Sequence, residues 1–196
     1  MRPATPAELP GLVATISLAF HEDPTWSWAF PDPRLRQQQY TVWWRFFIEG
    51  ALRYPWVLRT AAYEAVAVWI PPGGTEIAEE AEARERPLLE SLVGSRADEV
   101  MELLARFEAA HPRGQPHYYL SLLGTHPDHR GRGIGMRMLE ENLARIDAEH
   151  MAAYLESSNP RNNHRYERLG FAAVGAFYPP DRESGPPITT MWRDAR

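Results

Sequence analysis

The apolar residues of this chain recur first at helical spacing. Thr5-Pro6-Ala7-Glu8 matches a capping box with proline at the first helical position, and an apolar stripe follows it. The stripe consists of Leu9, Leu12, Val13, Ile16 and Phe20. Residues 21–24 end this helix, and Asp32-Pro33 begins a second helix that ends before Pro55. The first part of the chain is therefore predicted to form two helices joined by a loop.

Short apolar runs bounded by proline and glycine predict strands farther along the chain. Residues 56–60 and 65–70 favour a hairpin that ends at Pro71-Pro72-Gly73-Gly74. Residues 75–110 have a helical pattern, which we expect to break near Pro87 and Gly94. The remaining predicted elements are a strand at 117–124, a helix ending near His150, a strand at 151–156, a short helix at 162–169, and strands near 171–178 and 188–192. Hairpins on both sides of a strand-helix-strand centre favour a mixed α/β sheet of six or seven strands flanked by helices.

Composition and charge limit the number of domains, the kinds of partner and the cysteine chemistry that this chain can have. With 196 residues and 44% hydrophobic content, the chain can bury a core, and we expect one domain over residues 1–196. A formal net charge of −5, without a compensating basic run, argues against nucleic acid or a membrane surface as the partner. The absence of cysteine excludes disulfides, a thiol nucleophile and thiolate metal sites. The start of the chain does not resemble a secretory signal, so we expect a cytoplasmic protein.

Glycines at alternate positions open the helix that follows the central strand. They lie in the segment Arg130-Gly131-Arg132-Gly133-Ile134-Gly135, and Met136, Leu139, Leu143 and Ile146 then form an apolar stripe. The first turn of a helix has N–H groups without intrahelical partners and carries the positive end of the helix dipole. Because glycine lets the backbone approach an anion closely, the segment is predicted to bind a pyrophosphate.

Two other kinds of phosphate loop fit less well. A nucleoside triphosphate loop requires lysine, but all 21 basic residues of this chain are arginine. The dinucleotide fingerprint G-x-G-x-x-G has a different spacing, and too little chain follows the loop for the rest of a doubly wound sheet. Glu156 nevertheless lies where a ribose-binding acid would lie, so a nicotinamide-dependent oxidoreductase is an alternative.

Two motifs in this region resemble the GNAT superfamily of N-acetyltransferases. Arg130-x-x-Gly133-x-Gly135 matches the Q/R-x-x-G-x-G/A signature, and Tyr166-x-x-x-Gly170-Phe171 matches the Y-x-x-x-G-F segment of that family. The chain is most similar to the puromycin N-acetyltransferase branch, through residues 65–69, 126–131 and 154–162. The resemblance is close over residues 115–178, loose over 3–73, and absent over 75–112.

The resemblance implies a GNAT-like sheet whose two central parallel strands splay apart and admit acetyl-CoA (coenzyme A). Only residues 1–4 precede the capping box, so the edge strand usual in the family must be short or absent. Backbone of the fourth strand would pair with pantetheine, and helix-start amides would hold the pyrophosphate. The cofactor-binding residues implied are Leu122, Leu123, Thr125, Arg130, Gly131, Arg132, Gly133, Ile134, Gly135, Met136, Asn159 and Asn162. The two asparagines flank a proline, a position equally typical of turn formers.

The resemblance also implies catalytic roles. Tyr166 matches the general acid that protonates the departing thiolate, although a packed tyrosine bonded to a backbone carbonyl is an alternative. An amide N–H near Leu123 would stabilise the oxyanion. The general base is undecided. Glu156 is one candidate, with a structural hydrogen bond or ion pair as its alternative role. The nearby His117, His126 and His129 are further candidates. His126 and His129 lack a third ligand on a regular element, so no metal site is predicted.

The acceptor pocket of the family lies between its first two helices. Trp26, Trp28 and Phe30 occupy that loop here and are candidate substrate-binding residues, with core packing as the alternative. Glu22 and Asp23 beside them favour a cationic amine. We therefore predict an N-acetyltransferase that acts as a monomer or homodimer and moves an acetyl group from acetyl-CoA directly to a primary amine of a small molecule. A non-catalytic acetyl-CoA sensor with the same fold is a further alternative.

Overall fold

A seven-stranded mixed sheet forms the centre of the computed structural model, which describes residues 1–181 and 185–196. The strands are β1 (Arg2–Pro3), β2 (Val57–Arg59), β3 (Ala65–Ile70), β4 (His117–Thr125), β5 (Ala152–Ser157), β6 (Ala172–Phe177) and β7 (Ile188–Arg193). Their spatial order is β1-β2-β3-β4-β5-β7-β6. Only β4 and β5 pair in parallel within the described residues, and every other neighbouring pair is antiparallel. This confirms the predicted mixed sheet, and β1 is the predicted short edge strand.

Helices cover both faces of this sheet. They are α1 (Leu9–Ala19), α2 (Pro24–Ala29), α3 (Pro33–Ala51), α4 (Glu79–Glu82), α5 (Glu85–Val93), α6 (Ala97–Ala110), α7 (Ile134–Ala148) and α8 (Asn163–Glu167). Short 3-10 turns precede several of them, at Pro6–Glu8, Gly94–Arg96, Pro127–His129 and Pro160–Asn162. None of the helices in the described ranges is long and apolar enough to cross a membrane.

The start of the chain follows its local signals. The Glu8 carboxylate accepts hydrogen bonds from the Thr5 N–H at 2.9 Å and from the Thr5 hydroxyl at 3.2 Å, so the predicted capping box is present. The same carboxylate pairs with Arg2 of β1 and Arg59 of β2. Glu8 thereby ties the first helix to the edge of the sheet.

Two predicted elements are wrong in detail. Residues 24–29 form α2 instead of a loop, because Asp23 Oδ1 accepts the N–H groups of Thr25 and Trp26 while Pro24 occupies the first helical position. The expected break near Pro87 is also wrong, since Pro87 lies in the first turn of α5, where its missing N–H costs nothing. The chain leaves the helix instead at residues 83–84 and, as predicted, near Gly94, whose φ is +57°.

Each face of the sheet has its own apolar core. On one face α1 and α3 pack with Val66, Val68 and Leu122 of the strands, and on the other face α7 packs on Ala67, Trp69 and Leu120. The buried apolar residues of α7 are Met138, Leu139, Leu143 and Ile146. Met138 thus takes the place predicted for Met136, which lies in the first turn above the strand ends and is half-buried. The helix start is therefore free to face a ligand.

The parallel strands β4 and β5 separate after a short contact. They pair only through His117–Ala152, Tyr118–Ala153 and Tyr119–Tyr154. The β3–β4 register shifts between Val68 and Trp69, which leaves Ser121 as an extra residue on β4. A bulge bends and twists its strand, so β4 turns away from β5 at this point. The predicted splay between the two central strands is confirmed.

Candidate active site

A cleft of about 1170 Å³ opens where β4 and β5 separate. Residues 120–125 of β4 and 155–157 of β5 form its two sides. The glycine segment and the start of α7 close one end, and α8 overhangs it. The start of α2, the inward face of α6 and the loop after β3 close the other end. The cleft thus joins the predicted cofactor loop to the region predicted for the acceptor.

Backbone groups on β4 point into this cleft. The N–H of His126 donates to Glu64 O on the β3 side at 2.9 Å. Since consecutive residues of a strand point their N–H and C=O groups to opposite sides, Leu123 and Thr125 present theirs to the gap. Leu122 points its backbone to β3, where it is in register with Val68. Of the three predicted pantetheine-pairing residues, Leu123 and Thr125 are therefore the two whose backbone is available.

The start of α7 is an uncapped helix end. Gly133 is its N-cap with φ +70°, and no side chain caps the first turn. Gly131 has φ +77°, and a Cβ on Gly135 would collide with the Thr125 hydroxyl. The amides that follow Gly133 therefore face the cleft without a partner among the described residues, as a pyrophosphate requires. Arg130 and Met136 also line the cleft, whereas Arg132 does not.

Arg130 and Asn159, two of the residues implied by the resemblance, have structural partners. Arg130 Nη2 donates to Ala19 O at 2.7 Å, which anchors the glycine segment to the end of α1. Asn159 Oδ1 accepts the Arg161 N–H at 3.2 Å and caps the turn before α8. Asn162 lines the cleft beside it. Asn159 thus acts as a turn former in this structure, which leaves its amide nitrogen for a ligand.

Tyr166 lies on α8 with its ring against Phe171, and it lines the cleft. Burial, and then the nearby Asp23 carboxyl, raise the pKa of Tyr166 to about 12. Its hydroxyl therefore keeps its proton at neutral pH, as a proton donor must.

Glu156 projects from β5 into the same cleft, and only 2% of its side chain is exposed. Burial raises the pKa of Glu156 to about 8, against hydrogen bonds from Tyr119 and Tyr154 that lower it, and the Glu76 carboxyl raises it further. A carboxyl with a pKa near neutral is suited to accept a proton from an amine.

Glu76 is a second buried carboxyl, which the sequence did not indicate. It accepts a hydrogen bond from the Ser121 hydroxyl at the bulge of β4, and burial raises its pKa to about 7. It lies in the segment that has no match to the GNAT motifs, and no local pattern distinguishes it from the surrounding acidic residues.

The three histidines predicted near the site have different environments in the structure. His129 lines the cleft, whereas His126 bonds to the Asp128 N–H at 3.3 Å and lies outside the lining. His117 is buried at the start of β4 and lines a second cavity. The sequence did not indicate a fourth histidine, His111, because it lies at the end of the segment without a match to the GNAT motifs. Its Nδ1 lies 3.9 Å from Glu156 Oε1. Within the described ranges, no group of three potential ligands could hold a metal ion.

The three candidate acceptor rings also have different environments. Trp26 lines the cleft and stacks on Phe107 with ring centroids 6.1 Å apart. Phe30 is fully buried against Tyr40 and Trp43, and Trp28 lies under the Arg96 guanidinium. Neither Phe30 nor Trp28 lines the cleft, so core and surface packing account for both.

Charge is distributed unevenly along the cleft. Carboxyl side chains line it from α2, the loop after β3, α4, α5, α6 and β5: Glu22, Asp23, Glu76, Glu82, Glu85, Glu108 and Glu156. Arginines line it from the glycine segment and around α8: Arg130, Arg161, Arg165 and Arg168. The acceptor side is therefore acidic, and the side of the predicted phosphate loop is basic.

Comparison with known proteins agrees with this geometry. Residues 96–173 match the family described as acetyltransferase (GNAT) domain. This range contains both motifs on which the resemblance to that family rests. A mycothiol acetyltransferase from Propionibacterium freudenreichii subsp. shermanii is 30% identical over 109 residues, which make up 54% of this chain and 30% of that protein. The chain therefore spans about 30% of the length of this curated relative.

Solved structures share the fold over the whole chain. A Corynebacterium glutamicum protein described as histone acetyltransferase HPA2 and related acetyltransferase is 27% identical, with a TM-score of 0.64 and coverage of 100% of this chain and 98% of that one. Arylalkylamine N-acetyltransferase 2 from Aedes aegypti has a TM-score of 0.66 at 13% identity, with coverage of 99% and 97%. The GNAT-like fold predicted from the two motifs is confirmed.

Proposed function

We propose that this chain is an N-acetyltransferase that moves an acetyl group from acetyl-CoA directly to a primary amine of a small molecule. The observation that carries the proposal is the cleft between the separated strands β4 and β5. It brings an uncapped, glycine-rich helix start together with Glu156 and Tyr166. This combination provides an anion site, a proton acceptor and a proton donor in one cavity.

The residues present fit acetyl-CoA. The amides after Gly133 would hold its pyrophosphate, and the free backbone groups of Leu123 and Thr125 would pair with pantetheine. When bound, acetyl-CoA supplies the acyl group as an activated thioester. The Leu123 N–H is the donor placed for negative charge that develops on the carbonyl oxygen.

Two side chains, Glu156 and Tyr166, would transfer the protons in this reaction. The Glu156 carboxylate takes a proton from the nitrogen of the acceptor amine as that nitrogen bonds to the acyl carbon. The Tyr166 hydroxyl would give its proton to the sulfur as the carbon–sulfur bond breaks, and the tyrosinate would then regain a proton from water. Both groups line the cleft, so substrates held in it would react directly, without an acyl-enzyme step.

The acceptor in this proposal is an amine that is a cation in solution, carries an apolar or aromatic group, and attacks in its neutral form after losing one proton to water. The acidic residues of the acceptor side attract a cation, and Trp26 offers an aromatic surface. The resemblance to the puromycin N-acetyltransferase branch suggests aminonucleosides, and the name of the Aedes aegypti protein suggests arylalkylamines. A cytoplasmic location, one domain over residues 1–196 and a monomeric or homodimeric state stay predictions.

The alternatives fit less well. A nicotinamide oxidoreductase of the doubly wound type needs a mostly parallel sheet, whereas a single strand pair is parallel in the described residues. A sensor without chemistry has no need of a buried carboxyl and a protonated tyrosine on the two sides of one cleft.

The test is acetyl-CoA turnover by the purified chain. Release of free coenzyme A thiol would be measured with aminonucleosides, arylalkylamines, acidic amino acids and a histone-like peptide, and each product checked by mass for one added acetyl group. We expect amine-dependent release with the first two classes. Absence of turnover with every amine, together with tight acetyl-CoA binding, would favour the sensor.

A further inference from the structure

Two histidines lie between the catalytic cleft and a second cavity. His111 caps the end of α6 and lines both cavities, and His117 begins β4 and lines the second. The second cavity, about 570 Å³, is bordered by the exposed residues Arg113, Gly114 and Gln115. His111 is therefore a bridge between Glu156 and a solvent-bordered space.

The hydrogen bonds determine which nitrogen of each neutral ring carries a proton. His117 Nδ1 lies 2.7 Å from Gln115 O, and because a carbonyl only accepts, this nitrogen must be the donor. Neutral His117 then has its lone pair on Nε2, which lies 3.1 Å from His111 Nε2. His111 must donate through Nε2, so its own lone pair is on Nδ1. That nitrogen faces Glu156 Oε1 at 3.9 Å.

The surroundings keep His111 neutral until it receives a proton. Burial lowers the pKa of His111, His117 and Arg113 lower it further, and Glu108 on its own helix opposes them. Tyr119 of β4 and Tyr154 of β5 contact its ring, and Glu76 lines both cavities nearby. Once protonated, the ring is favoured by the negative end of the α6 dipole and by the Glu156 carboxylate.

We infer that His111 receives at Nδ1 the proton that Glu156 takes from the acceptor amine, and releases it to the second cavity, with His117 holding His111 in the receptive tautomer. This inference rests on the proposed function. Glu156 returns to its carboxylate form. The imidazolium of His111 loses its Nε2 proton to water in the second cavity, and exchange with that water then returns the remaining proton from Nδ1 to Nε2. The transfer requires the separation of His111 Nδ1 and Glu156 Oε1 to close from 3.9 Å to hydrogen-bond distance. His111 is a positioning and relay residue, because it acts through Glu156.

The tautomers can be tested without turnover. Two-bond ¹H–¹⁵N spectra of the histidine rings, measured at a pH where both are neutral, should show His111 protonated on Nε2 and His117 on Nδ1. His117→Phe should remove this preference in His111. A His111 ring protonated on Nδ1 in the wild-type protein would overturn the inference.

The relay itself is tested by chemical rescue. His111→Ala should lower kcat/KM by roughly ten- to a hundredfold while acetyl-CoA binding stays unchanged, and added imidazole should restore much of the loss. Glu156→Gln should not be rescued. His150→Gln, a change at an exposed histidine two residues after the end of α7, is the matched control and should behave as wild type.

The outcomes separate this inference from the proposed function. Full activity in His111→Ala, or a loss that imidazole does not restore in a variant that still binds acetyl-CoA, overturns the relay but leaves the acetyltransferase proposal standing. A wild-type chain that acetylates no amine overturns both.

Discussion

At the scale of single residues, burial suits Tyr166 and Glu156 to the acid and base roles proposed for them. Tyr166 and Glu156 lie in one cleft, and burial is the first cause of the upward pKa shift of each. The shift makes the tyrosine a firmly protonated donor and turns the glutamate into a base that titrates near neutral pH. The same physical cause therefore produces two opposite roles, because the groups start from pKa values on opposite sides of 7.

Replacement of Tyr166 by phenylalanine isolates its hydroxyl. We expect Tyr166→Phe to bind acetyl-CoA like the wild type and to lose roughly ten- to ten-thousandfold in kcat, since the proton is needed only as the thiolate leaves. Steady-state kinetics and calorimetric titration measure the two quantities. Tyr118→Phe, whose hydroxyl donates to Glu149 at 2.6 Å outside the cleft, is the control. Wild-type turnover in Tyr166→Phe would leave the ring with a packing role only.

Glu156 should give activity and stability opposite dependences on pH. Its carboxylate form is the base, so kcat/KM should rise with pH around about 8, and Glu156→Gln should lose this limb with roughly a hundred- to ten-thousandfold fall in rate. The folded state holds the proton of the Glu156 carboxyl more tightly than the unfolded chain does. The contribution of this proton to the free energy of unfolding is therefore complete below pH 4.5 and is lost as the pH rises through about 8.

Thermal melts across this pH range check the stability half of that prediction. The melting temperature of the wild type should fall more between pH 5 and 9 than that of Glu156→Gln. Glu140→Gln, on the exposed face of α7, should follow the wild type in both assays. Parallel melting curves for wild type and Glu156→Gln would show that the folded state does not retain the proton.

At the scale of elements, helix starts organise both ends of the cleft. The start of α7 has a glycine N-cap and leaves its amides to a ligand. The start of α2 is satisfied internally, because Asp23 accepts two amides of its first turn and the Ser158 hydroxyl at 2.7 Å. Thr25 Oγ1 in turn donates to Ser158 O at 2.9 Å, which fastens α2 to the end of β5. One helix start is thus open for binding, and the other supports the cleft wall.

Acetyl-CoA should stabilise the fold through the start of α7. At a ligand concentration near a hundred times Kd, the gain in unfolding free energy is about 2.7 kcal/mol. Gly133→Val should abolish this gain, since a β-branched residue is strained at φ +70° and its side chain would obstruct the anion. Thermal melts with acetyl-CoA, NAD and ATP measure the effect. Gly114→Ala, where an added Cβ meets no atom within 4 Å, should retain the gain.

The opposite ligand preference would contradict the assignment of this site. A chain that is stabilised by NAD and unaffected by acetyl-CoA would show that the glycine segment binds a dinucleotide. Retention of the full acetyl-CoA gain in Gly133→Val would place the pyrophosphate elsewhere.

At the scale of the whole molecule, the cleft combines a basic side with an acidic side on a chain of net charge −5. The proposed polyanionic cofactor and cationic acceptor would thereby be drawn to different regions of one cavity. Charges spread over several elements act over a longer range than contacts do, and salt screens them.

Acceptor selectivity should follow this charge distribution. KM for an arylalkylamine or aminonucleoside should rise severalfold between low and high ionic strength, and acidic amino acids should be poor substrates at any salt concentration.

Trp26→Ala should raise KM more than it lowers kcat, because the lost contact would bind the ground state and the transition state equally. Trp28→Ala, which changes a ring outside the cleft lining, is the control. Acidic amino acids or histone-like peptides as the best substrates would contradict this assignment.

Local chemistry in the sequence determined the order of the elements and the position of the glycine segment that is proposed to bind the cofactor. A capping box, an Asp-Pro helix start, glycines with positive φ and period-specific apolar stripes act within a few residues, so Thr5, Asp32, Gly133 and Tyr166 could be located without a structure. The short first strand and the mixed sheet follow from the same kind of signal.

Tertiary packing alone decided which side chains line the side of the cleft proposed for the acceptor and which lie close to Glu156. The bulge at Ser121, the burial of Glu76 and the approach of His111 to Glu156 join segments that are distant in the chain, and no local pattern encodes such contacts. The rings of Trp26 and Phe30 are equivalent by sequence, yet only the first lines the cleft, because the packing of α2 on α3 turns the other into the core. Burial also sets the pKa of each cleft carboxyl, and burial is a property of the folded molecule.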